Sequence, residues 1–186
     1  MKVLGVEGSP RKGGNSDTLL SEALKGAASV GAEVEKIFLP AFTVNPCRAC
    51  EGCAKTGVCV QTDDAPALID KMLEADAVIL ATPIYWWGPS AQMKAFIDRW
   101  YAPNKVEART VKMRKPYALI ATFGDEDAAT ARHTVGMLQD AFDYLKADFA
   151  AQLLVSADKR GEVAQNEKAM REAFELGKKM AGRQRT

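Results

Sequence analysis

Donor side chains are concentrated in a glycine-rich loop near the start of the 186-residue chain. The loop begins with Gly8-Ser9-Pro10-Arg11 directly after an apolar run, and a helical pattern starts a few residues later. A loop in this position aims backbone N–H groups and the positive end of a helix dipole at one point, which favours an anion. An ordinary βα turn, with Asn15 or Ser16 as a simple N-cap, is the alternative. The number of donors favours a phosphate site, whose predicted ligands are Ser9, Arg11, Asn15, Ser16 and Thr18.

The same loop argues against two common kinds of phosphate site. It lacks the Gly-Lys-Ser/Thr ending of nucleotide hydrolases, and its glycines do not have the Gly-x-Gly-x-x-Gly spacing of dinucleotide sites. A terminal phosphomonoester, such as that of FMN, fits the loop better. Its form, Gly-Ser-Pro-Arg followed by Asn-Ser, resembles the phosphate loop of the flavodoxin-like NAD(P)H-dependent FMN reductases. The resemblance implies FMN as the cofactor and NAD(P)H as the electron donor.

A second loop, at residues 83–90, carries three aromatic residues at the end of an apolar run. It can supply the apolar surfaces and backbone polar groups that a flat isoalloxazine ring needs. Alternatively, these aromatic side chains cover the end of the sheet or form a subunit contact. Together with residues 92–99, the loop resembles a signature of the same family, which implies that the loop contacts the flavin and the helix contributes to a dimer. The predicted ring-pocket residues are Pro83, Ile84, Tyr85, Trp86, Trp87 and Gly88.

A third loop, at residues 122–127, follows the fourth predicted strand. Gly124 permits close approach of a ring and Phe123 can stack against it, and the resemblance implies that this loop faces the other side of the flavin. The carboxylates that follow are predicted to begin the next helix. His133 is predicted to be a surface or packing residue, and the pair Asp98-Arg99 to be structural. No catalytic side chain is therefore predicted, and the chemistry is assigned to the flavin.

All four cysteines lie within residues 47–59, with spacings of two, two and five residues. In a cytosolic α/β protein, clustered thiols indicate metal, cluster or redox chemistry rather than structural disulfides. Four sulfur ligands at these spacings suit a [4Fe–4S] cluster, whereas zinc would form a closed structural site. A thioredoxin-like pair fits less well because three cysteines repeat the spacing. The candidate cluster ligands are Cys47, Cys50, Cys53 and Cys59.

This cysteine window resembles that of the iron–sulfur flavoproteins, a branch of the same family in which a cluster passes electrons between a protein donor and FMN. Shorter relatives carry the same cysteines with a Lys-Thr-Gly-x-Cys ending and a following Asp-Asp, without an established cluster. This chain has that form at residues 55–59 and 63–64. Two interpretations stay open, namely a [4Fe–4S] site and a reduced, oxidisable cysteine loop near the flavin.

Hydrophobic patterning predicts the elements that position these loops. Apolar runs predict strands, and apolar residues at three- and four-residue spacing predict helices. The strands are predicted at 2–6, 33–38, 77–82, 116–122 and 150–156, and the helices at 17–30, 65–74, 90–101, 128–146 and 165–180. This order predicts a flavodoxin-like, doubly wound, five-stranded parallel sheet in a three-layer α/β/α arrangement. The loops after strands one, three and four would then share one rim.

Length and composition set the remaining bounds. A chain of 186 residues suits one domain, predicted over residues 1–186 with a cysteine-rich loop at 40–64. The net charge of +1 gives no electrostatic argument for nucleic acid or a membrane surface. Without an apolar run long enough to span a bilayer or a signal peptide, the expected location is the cytoplasm. The basic end, with Lys178, Lys179, Arg183 and Arg185, is predicted to be a solvated helix end and tail.

We therefore expect an FMN-dependent oxidoreductase that passes electrons from NAD(P)H to a small acceptor such as a quinone or a free flavin. The first alternative is an iron–sulfur flavoprotein that exchanges electrons with another protein, and the second is a non-enzymatic metal-binding module. Trp86, Trp87, Trp100 and Tyr101 offer more aromatic surface than one pocket needs, which predicts a homodimer or homotetramer.

Overall fold

Continuous apolar segments form the central strands, because helices cover both faces of the sheet. The computed structural model describes residues 1–183, so Arg185 of the predicted basic tail lies outside the described residues. All eight residues of the strand Pro116–Phe123 are buried, as are the first six of Ala77–Tyr85. The strands are β1 Lys2–Glu7, β2 Glu33–Phe38, β3 Ala77–Tyr85, β4 Gly88–Pro89, β5 Pro116–Phe123 and β6 Asp148–Ser156.

Five of the strands pair in parallel in the order β2-β1-β3-β5-β6. β1 lies between β2 and β3, so the direction of winding reverses beside it. This order confirms the predicted flavodoxin-like, doubly wound sheet. The count differs from the prediction, because β4 adds a sixth, two-residue strand antiparallel to the end of β3. Two residues that fold back through a tight turn have no hydrophobic period, so the pattern could not predict them.

Amphipathic helices cover the two faces of the sheet. α1 and α6 pack over one hydrophobic cluster, and α2, α3 and α5 pack over the other. The first pair approaches closely through glycines, since a Cβ at Gly26 would lie 1.9 Å from the carbonyl oxygen of Phe174. The helices are α1 Asn15–Ser29, α2 Ala65–Glu74, α3 Ala91–Asp98, α4 Glu107–Thr110, α5 Arg132–Leu145 and α6 Glu167–Ala181.

The helix boundaries differ from the predicted ones where short 3₁₀ turns adjoin the helices. α3 ends at Asp98 with the turn Arg99–Tyr101 after it, and the turn Ala128–Ala131 precedes α5. α4 and its flanking turns were not predicted, because elements of three or four residues show no periodicity. Among the helices of residues 1–183, none is long and apolar enough to cross a membrane.

Trp100 lies in the core, so its prediction as a surface residue was wrong. The side chain is 4% exposed, and its ring lies 5.9 Å from Tyr117 and 6.1 Å from Phe142, between ring centroids. The 3₁₀ turn that follows α3 directs Trp100 inward and leaves Tyr101 exposed. The exposed aromatic surface of the prediction is therefore reduced to Trp86, Trp87 and Tyr101.

Candidate functional site

A cleft of about 270 Å³ opens at the carboxyl ends of β1, β3, β5 and β6. The strand order brings the loops after these four strands to one rim, beside the point where the winding reverses. Three of these loops are the ones from which the sequence predicted ligands. From the first loop, Ser9, Arg11, Asn15 and Ser16 line the cleft, whereas Thr18 lies one turn into α1 and does not.

The N-terminus of α1 faces this cleft without a capping side chain. Gly14 is its N-cap residue, and no side chain within residues 1–183 caps the helix by accepting a hydrogen bond from its first N–H groups. The first N–H groups of a helix have no partner inside the helix, so here they are available to an anion. Gly14 is required by the tight turn, because a Cβ there would lie 2.9 Å from the carbonyl oxygen of Arg11.

Ser9 and Arg11 add charge and hydroxyl groups to these backbone donors. The Ser9 side chain is buried, and its Oγ accepts the backbone N–H of Arg11 at 3.1 Å, which holds the loop in shape. The Arg11 side chain is exposed and lines the cleft. The arrangement therefore offers a guanidinium group beside an open helix N-terminus, a combination suited to a phosphate dianion.

Asn15 holds a second segment of chain against the cleft. Its Nδ2 donates to the carbonyl oxygens of Ala157 at 3.1 Å and Lys159 at 3.0 Å, and its Oδ1 accepts the N–H of Val163 at 3.3 Å. Arg160 Nη2 also donates to the carbonyl oxygen of Lys12 at 2.5 Å. The side-chain amide of Asn15 is thus occupied by residues 157–163, so the predicted role of Asn15 as a phosphate ligand would require its backbone N–H.

The segment after β6 contributes lining residues that the sequence reasoning missed. Ala157, Asp158 and Arg160 line the cleft, and Asp158 Oδ1 would lie 3.1 Å from a Cβ added at Gly124. A signal for this segment existed, because the fifth predicted strand of a parallel sheet must end at the same rim as the others. The prediction used only the loops that carried a recognisable motif.

The aromatic loop is a tight hairpin between β3 and β4. Ile84 pairs with Pro89 and Tyr85 with Gly88, so two residues form the turn. Both are tryptophans in left-handed backbone conformation, with φ of 50° at Trp86 and 61° at Trp87. This conformation normally favours glycine or asparagine, and the Trp86 side chain it presents is 91% exposed.

The hairpin divides the predicted ring-pocket residues between two places. Pro83, Ile84 and Tyr85 line the cleft. Trp86 and Trp87 line a neighbouring hollow of about 170 Å³ instead, which shares Ile84 with the cleft. Gly88 lines neither of these two cavities and closes the hairpin.

Ser90 connects the first two loops and was also missed. It is fully buried, and its Oγ donates to the carbonyl oxygen of Gly8 at 2.7 Å and accepts the N–H of Met93 at 3.2 Å. Thr82 Oγ1 accepts the N–H of Ser90 at 3.0 Å. The position of Ser90 at the start of a predicted helix was the available signal, since serine is a common N-cap.

The third loop places Phe123 and Gly124 at the cleft. Its carboxylates have structural partners: Asp125 accepts the hydroxyl of Thr130 at 3.0 Å, and Asp127 accepts the N–H of Ala129 at 2.8 Å at the start of a 3₁₀ turn. His133 is exposed on α5. These contacts place the carboxylates at the start of the 3₁₀ turn that precedes α5, as expected of residues that begin a helix.

The four cysteines lie in a loop that a buried ion pair fastens to the domain. Arg99 donates to both carboxylate oxygens of Asp63 at 2.7 and 3.0 Å, and to the carbonyl oxygen of Asn45 at 2.8 Å. The side chains of Arg99 and Asp63 are 1% and 0% exposed. This geometry gives Arg99 the structural role that was expected of it.

The thiols of this loop do not form a metal-ligand set. Cys47 and Cys50 are exposed, Cys53 is buried, and Cys59 is half-buried. Among residues 1–183, no three side chains of His, Cys, Asp or Glu converge at metal-binding distance. Burial raises the pKa of the Cys53 thiol. This arrangement does not fit a cluster, and we derive no electron-transfer step through one.

Comparison with known proteins places this geometry among flavin reductases. The family model of the NADPH-dependent FMN reductases matches residues 1–162. The putative NAD(P)H-dependent FMN-containing oxidoreductase YwqN of Bacillus subtilis is 27% identical over 183 residues, which cover 96% of this chain and 98% of that protein. An iron-sulfur flavoprotein of Archaeoglobus fulgidus is 48% identical over 99 residues, which cover 53% of this chain and 45% of the relative. The matched segment thus spans about half the length of that relative and of two similar ones.

Solved structures show the same fold. The Trp repressor binding protein of Bacillus subtilis superimposes with a TM-score of 0.74 at 26% identity, over 94% of this chain and 99% of that one. An NAD(P)H:quinone oxidoreductase of Methanothermobacter marburgensis superimposes with a TM-score of 0.76, over 98% of each chain, at 15% identity. At that identity the second match shows the shared architecture alone.

Proposed function

Because the chain belongs to the NADPH-dependent FMN reductase family, we propose that it is a flavin oxidoreductase that holds FMN in the cleft at the carboxyl ends of the strands. In this proposal it takes reducing equivalents from NAD(P)H and passes them to a small acceptor such as a quinone or a free flavin. The family membership favours this function over a non-enzymatic metal-binding module. The expected setting is the cytoplasm.

The uncapped N-terminus of α1 is the observation that carries the proposal. Within the described residues no side chain satisfies its first N–H groups, and Arg11 stands beside them at the cleft. An anion with several acceptor oxygens matches this donor set, and the phosphate of FMN has that chemistry. The Ser9 hydroxyl and the backbone N–H of Ser16, two residues that also line the cleft, complete the phosphate site.

The rest of the cleft suits a flat ring. Its lining includes Pro83, Ile84, Tyr85, Phe123 and Gly124, so apolar groups and loop backbone lie at the same opening. When bound, FMN would supply hydride acceptance and the delivery of one or two electrons. The task of the chain is to anchor the phosphate, orient the ring and leave one face open to donor and acceptor. In this division of tasks the reaction does not require a catalytic acid or base from the chain.

The test is oxidation of NADPH and NADH by protein loaded with FMN, with a quinone as acceptor. We expect the loaded protein to oxidise at least one of the two nucleotides much faster than an equal concentration of free FMN does. Protein stripped of flavin serves as the control and is expected to be inactive until FMN is added. An FMN-loaded protein no faster than free FMN would contradict the proposed reaction.

An electron carrier containing an iron–sulfur cluster is the second candidate function, favoured by the similarity to iron-sulfur flavoproteins that are 40–48% identical over 99 residues. The separated thiols of this structure speak against it. Iron and acid-labile sulfide, measured on anaerobically purified protein, distinguish the two. About four irons per chain would support the carrier, and substoichiometric iron would support the reductase.

The exposed aromatic side chains support a homodimer or homotetramer. Trp86, Trp87 and Tyr101 are 91%, 46% and 38% exposed. Aromatic residues are enriched where protein surfaces meet, and tryptophan is costly to leave in water. A monomer in sedimentation analysis would contradict this part of the proposal.

A further inference from the structure

A buried carboxyl group lies behind the predicted phosphate loop, and the proposed reaction does not use it. Glu7, the last residue of β1, has no exposed surface. Its Oε1 accepts the backbone N–H of Ser9 at 2.6 Å and the hydroxyl of Ser16 at 2.8 Å. Among the described residues, its Oε2 is buried without a hydrogen-bond partner. An ionised carboxylate oxygen that is buried without a hydrogen-bond donor costs free energy. Protonation of the carboxyl group removes the charge that causes this cost.

Glu7 is joined to the cleft through the two residues that donate to it. Ser9 and Ser16 both line the cleft. Ser9 donates its backbone N–H to Glu7, and Ser16 donates its hydroxyl. A phosphate in the loop would therefore stand on the opposite side of these two residues from the carboxyl group. Two negative charges separated by one layer of residues in a poorly solvated place repel each other strongly.

The charged groups around Glu7 do not neutralise it. Asp17 of α1 is an acidic neighbour and Lys36 of β2 a basic one, but these two form an ion pair with each other. On the side of β3 and α3, the residues nearest this end of the strand are uncharged: Ala81, Ser90 and Met93. Arg11 and Lys12 of the loop are exposed. Within residues 1–183, Glu7 forms no salt bridge, so its charge has no direct counterpart.

Burial raises the pKa of Glu7 to about 8, and the charge of Asp17 adds to this, while the hydrogen bonds from Ser9 and Ser16 act against it. The neutral and ionised forms therefore both exist in weakly alkaline solution before any ligand binds. A group of this kind responds to a new charge nearby by exchanging a proton with solvent.

We propose that Glu7 is a proton-linked positioning residue of the phosphate site: its neutral form supports Ser9 and Ser16 beneath a bound phosphate dianion, and binding of that dianion takes up one proton from solvent when Glu7 is ionised. The proposal rests on the proposed function, because it assumes that the phosphate of FMN occupies the loop. The proton is supplied by water or buffer and is held on the carboxyl group; no other bond changes.

The direction of the pH dependence follows from this linkage. A bound dianion disfavours ionised Glu7, so the pKa of Glu7 is higher in the complex than in the free protein. The affinity for FMN is therefore greatest below the free-state pKa of about 8 and falls as the pH rises above it. The expected loss of affinity is up to about tenfold for each unit by which binding raises the pKa.

The test is calorimetric titration of the flavin-free protein with FMN between pH 7.5 and 9.5, in two buffers of different ionisation enthalpy. In this range the phosphate of free FMN is already a dianion, since its second pKa is about 6, so proton uptake reports on the protein. We expect net uptake of a proton that is largest above pH 8 and an affinity that falls over the same range. Riboflavin, which lacks the phosphate, is expected to bind without proton uptake.

Two variants assign the proton. Glu7→Gln is expected to bind FMN at pH 7.5 with nearly the affinity of the unmodified protein, and to lose both the proton uptake and the fall in affinity. Glu22→Gln, on α1 and paired with Lys25, is the matched control and is expected to keep both. Proton uptake that persists in Glu7→Gln would overturn the assignment. If Glu7→Gln does not fold, the unmodified protein still tests the proposal. Proton uptake with FMN but not with riboflavin supports it, and equal uptake with both flavins contradicts it.

The two proposals fail in different ways. FMN that binds more tightly than riboflavin but without proton uptake between pH 7.5 and 9.5 contradicts the role of Glu7 and leaves the FMN site intact. FMN that binds no more tightly than riboflavin contradicts the phosphate site itself.

Discussion

At the scale of single residues, the cleft is lined by side chains whose hydrogen bonds hold the first loop in place. Ser9, Arg11 and Ser16 lie together at the cleft. Their meeting could be predicted, because a Gly-Ser-Pro loop before a helix is a local feature of the sequence. The amide of Asn15, however, is bonded to residues 157–163, and the hydroxyl of Ser16 donates to Glu7. These partners are far apart in sequence or carry no motif, so residue type alone could not predict them.

Arg11→Ala tests the phosphate site at this scale. Loss of a guanidinium that bonds to a phosphate removes about 1.5–3 kcal/mol, so we expect FMN affinity to fall roughly ten- to hundredfold. Riboflavin affinity is expected to stay unchanged, which separates loss of phosphate binding from misfolding. Arg132→Ala, an exposed arginine on α5, is the control. Fluorescence quenching of each flavin measures the affinities, and unchanged FMN affinity in Arg11→Ala would contradict the assignment.

Asn15→Ala tests the link between the first loop and the segment after β6. The substitution removes three hydrogen bonds that hold residues 157–163, so we expect faster hydrogen exchange at the Val163 amide and weaker FMN binding. Ser29→Ala, at the other end of α1, is the control and should leave Val163 unaffected. Unchanged exchange at Val163 in Asn15→Ala would show that other contacts hold the segment.

At the scale of elements, the hydrophobic period of the sequence predicted the long strands and helices but not the short ones. The five parallel strands and the helix Ala65–Glu74 occur where the pattern predicted them. The hairpin of β3 and β4 could not be predicted from the sequence, because its turn carries two tryptophans in place of the asparagine and glycine that usually mark such a turn. Residues kept in an unfavourable conformation at a site rim indicate that their side chains are needed there.

Replacement of Trp86-Trp87 by Asn-Gly tests how much free energy the left-handed conformation of the two tryptophans costs. The new pair suits left-handed backbone, so the free energy of unfolding is expected to stay equal or rise by about 1 kcal/mol. If the tryptophans form the predicted subunit contact, the same variant is expected to dissociate. Chemical denaturation and sedimentation measure the two effects. A variant that unfolds more easily yet keeps its assembly state would show that the tryptophans stabilise the single chain instead.

At the scale of the whole molecule, the rim of the sheet explains why distant segments form one site. The loops after four of the five parallel strands line one cleft, and Ser90 joins the loop after β1 to the loop after β3 through Gly8. The order of the strands could be predicted from the alternation of strands and helices, and with it the meeting of three loops. The contribution of the loop after β6 and the separation of the four thiols depend on packing between distant segments, which the local pattern does not contain.

The cofactor content of the purified protein tests the central claim most directly. Protein prepared without oxygen is analysed for its absorbance spectrum, FMN, iron and acid-labile sulfide on one sample, and is then mixed with FMN if flavin is absent. The proposed site predicts one FMN per chain, either retained or taken up, with flavin absorbance bands and no stoichiometric iron. A colourless protein that does not take up FMN would contradict it.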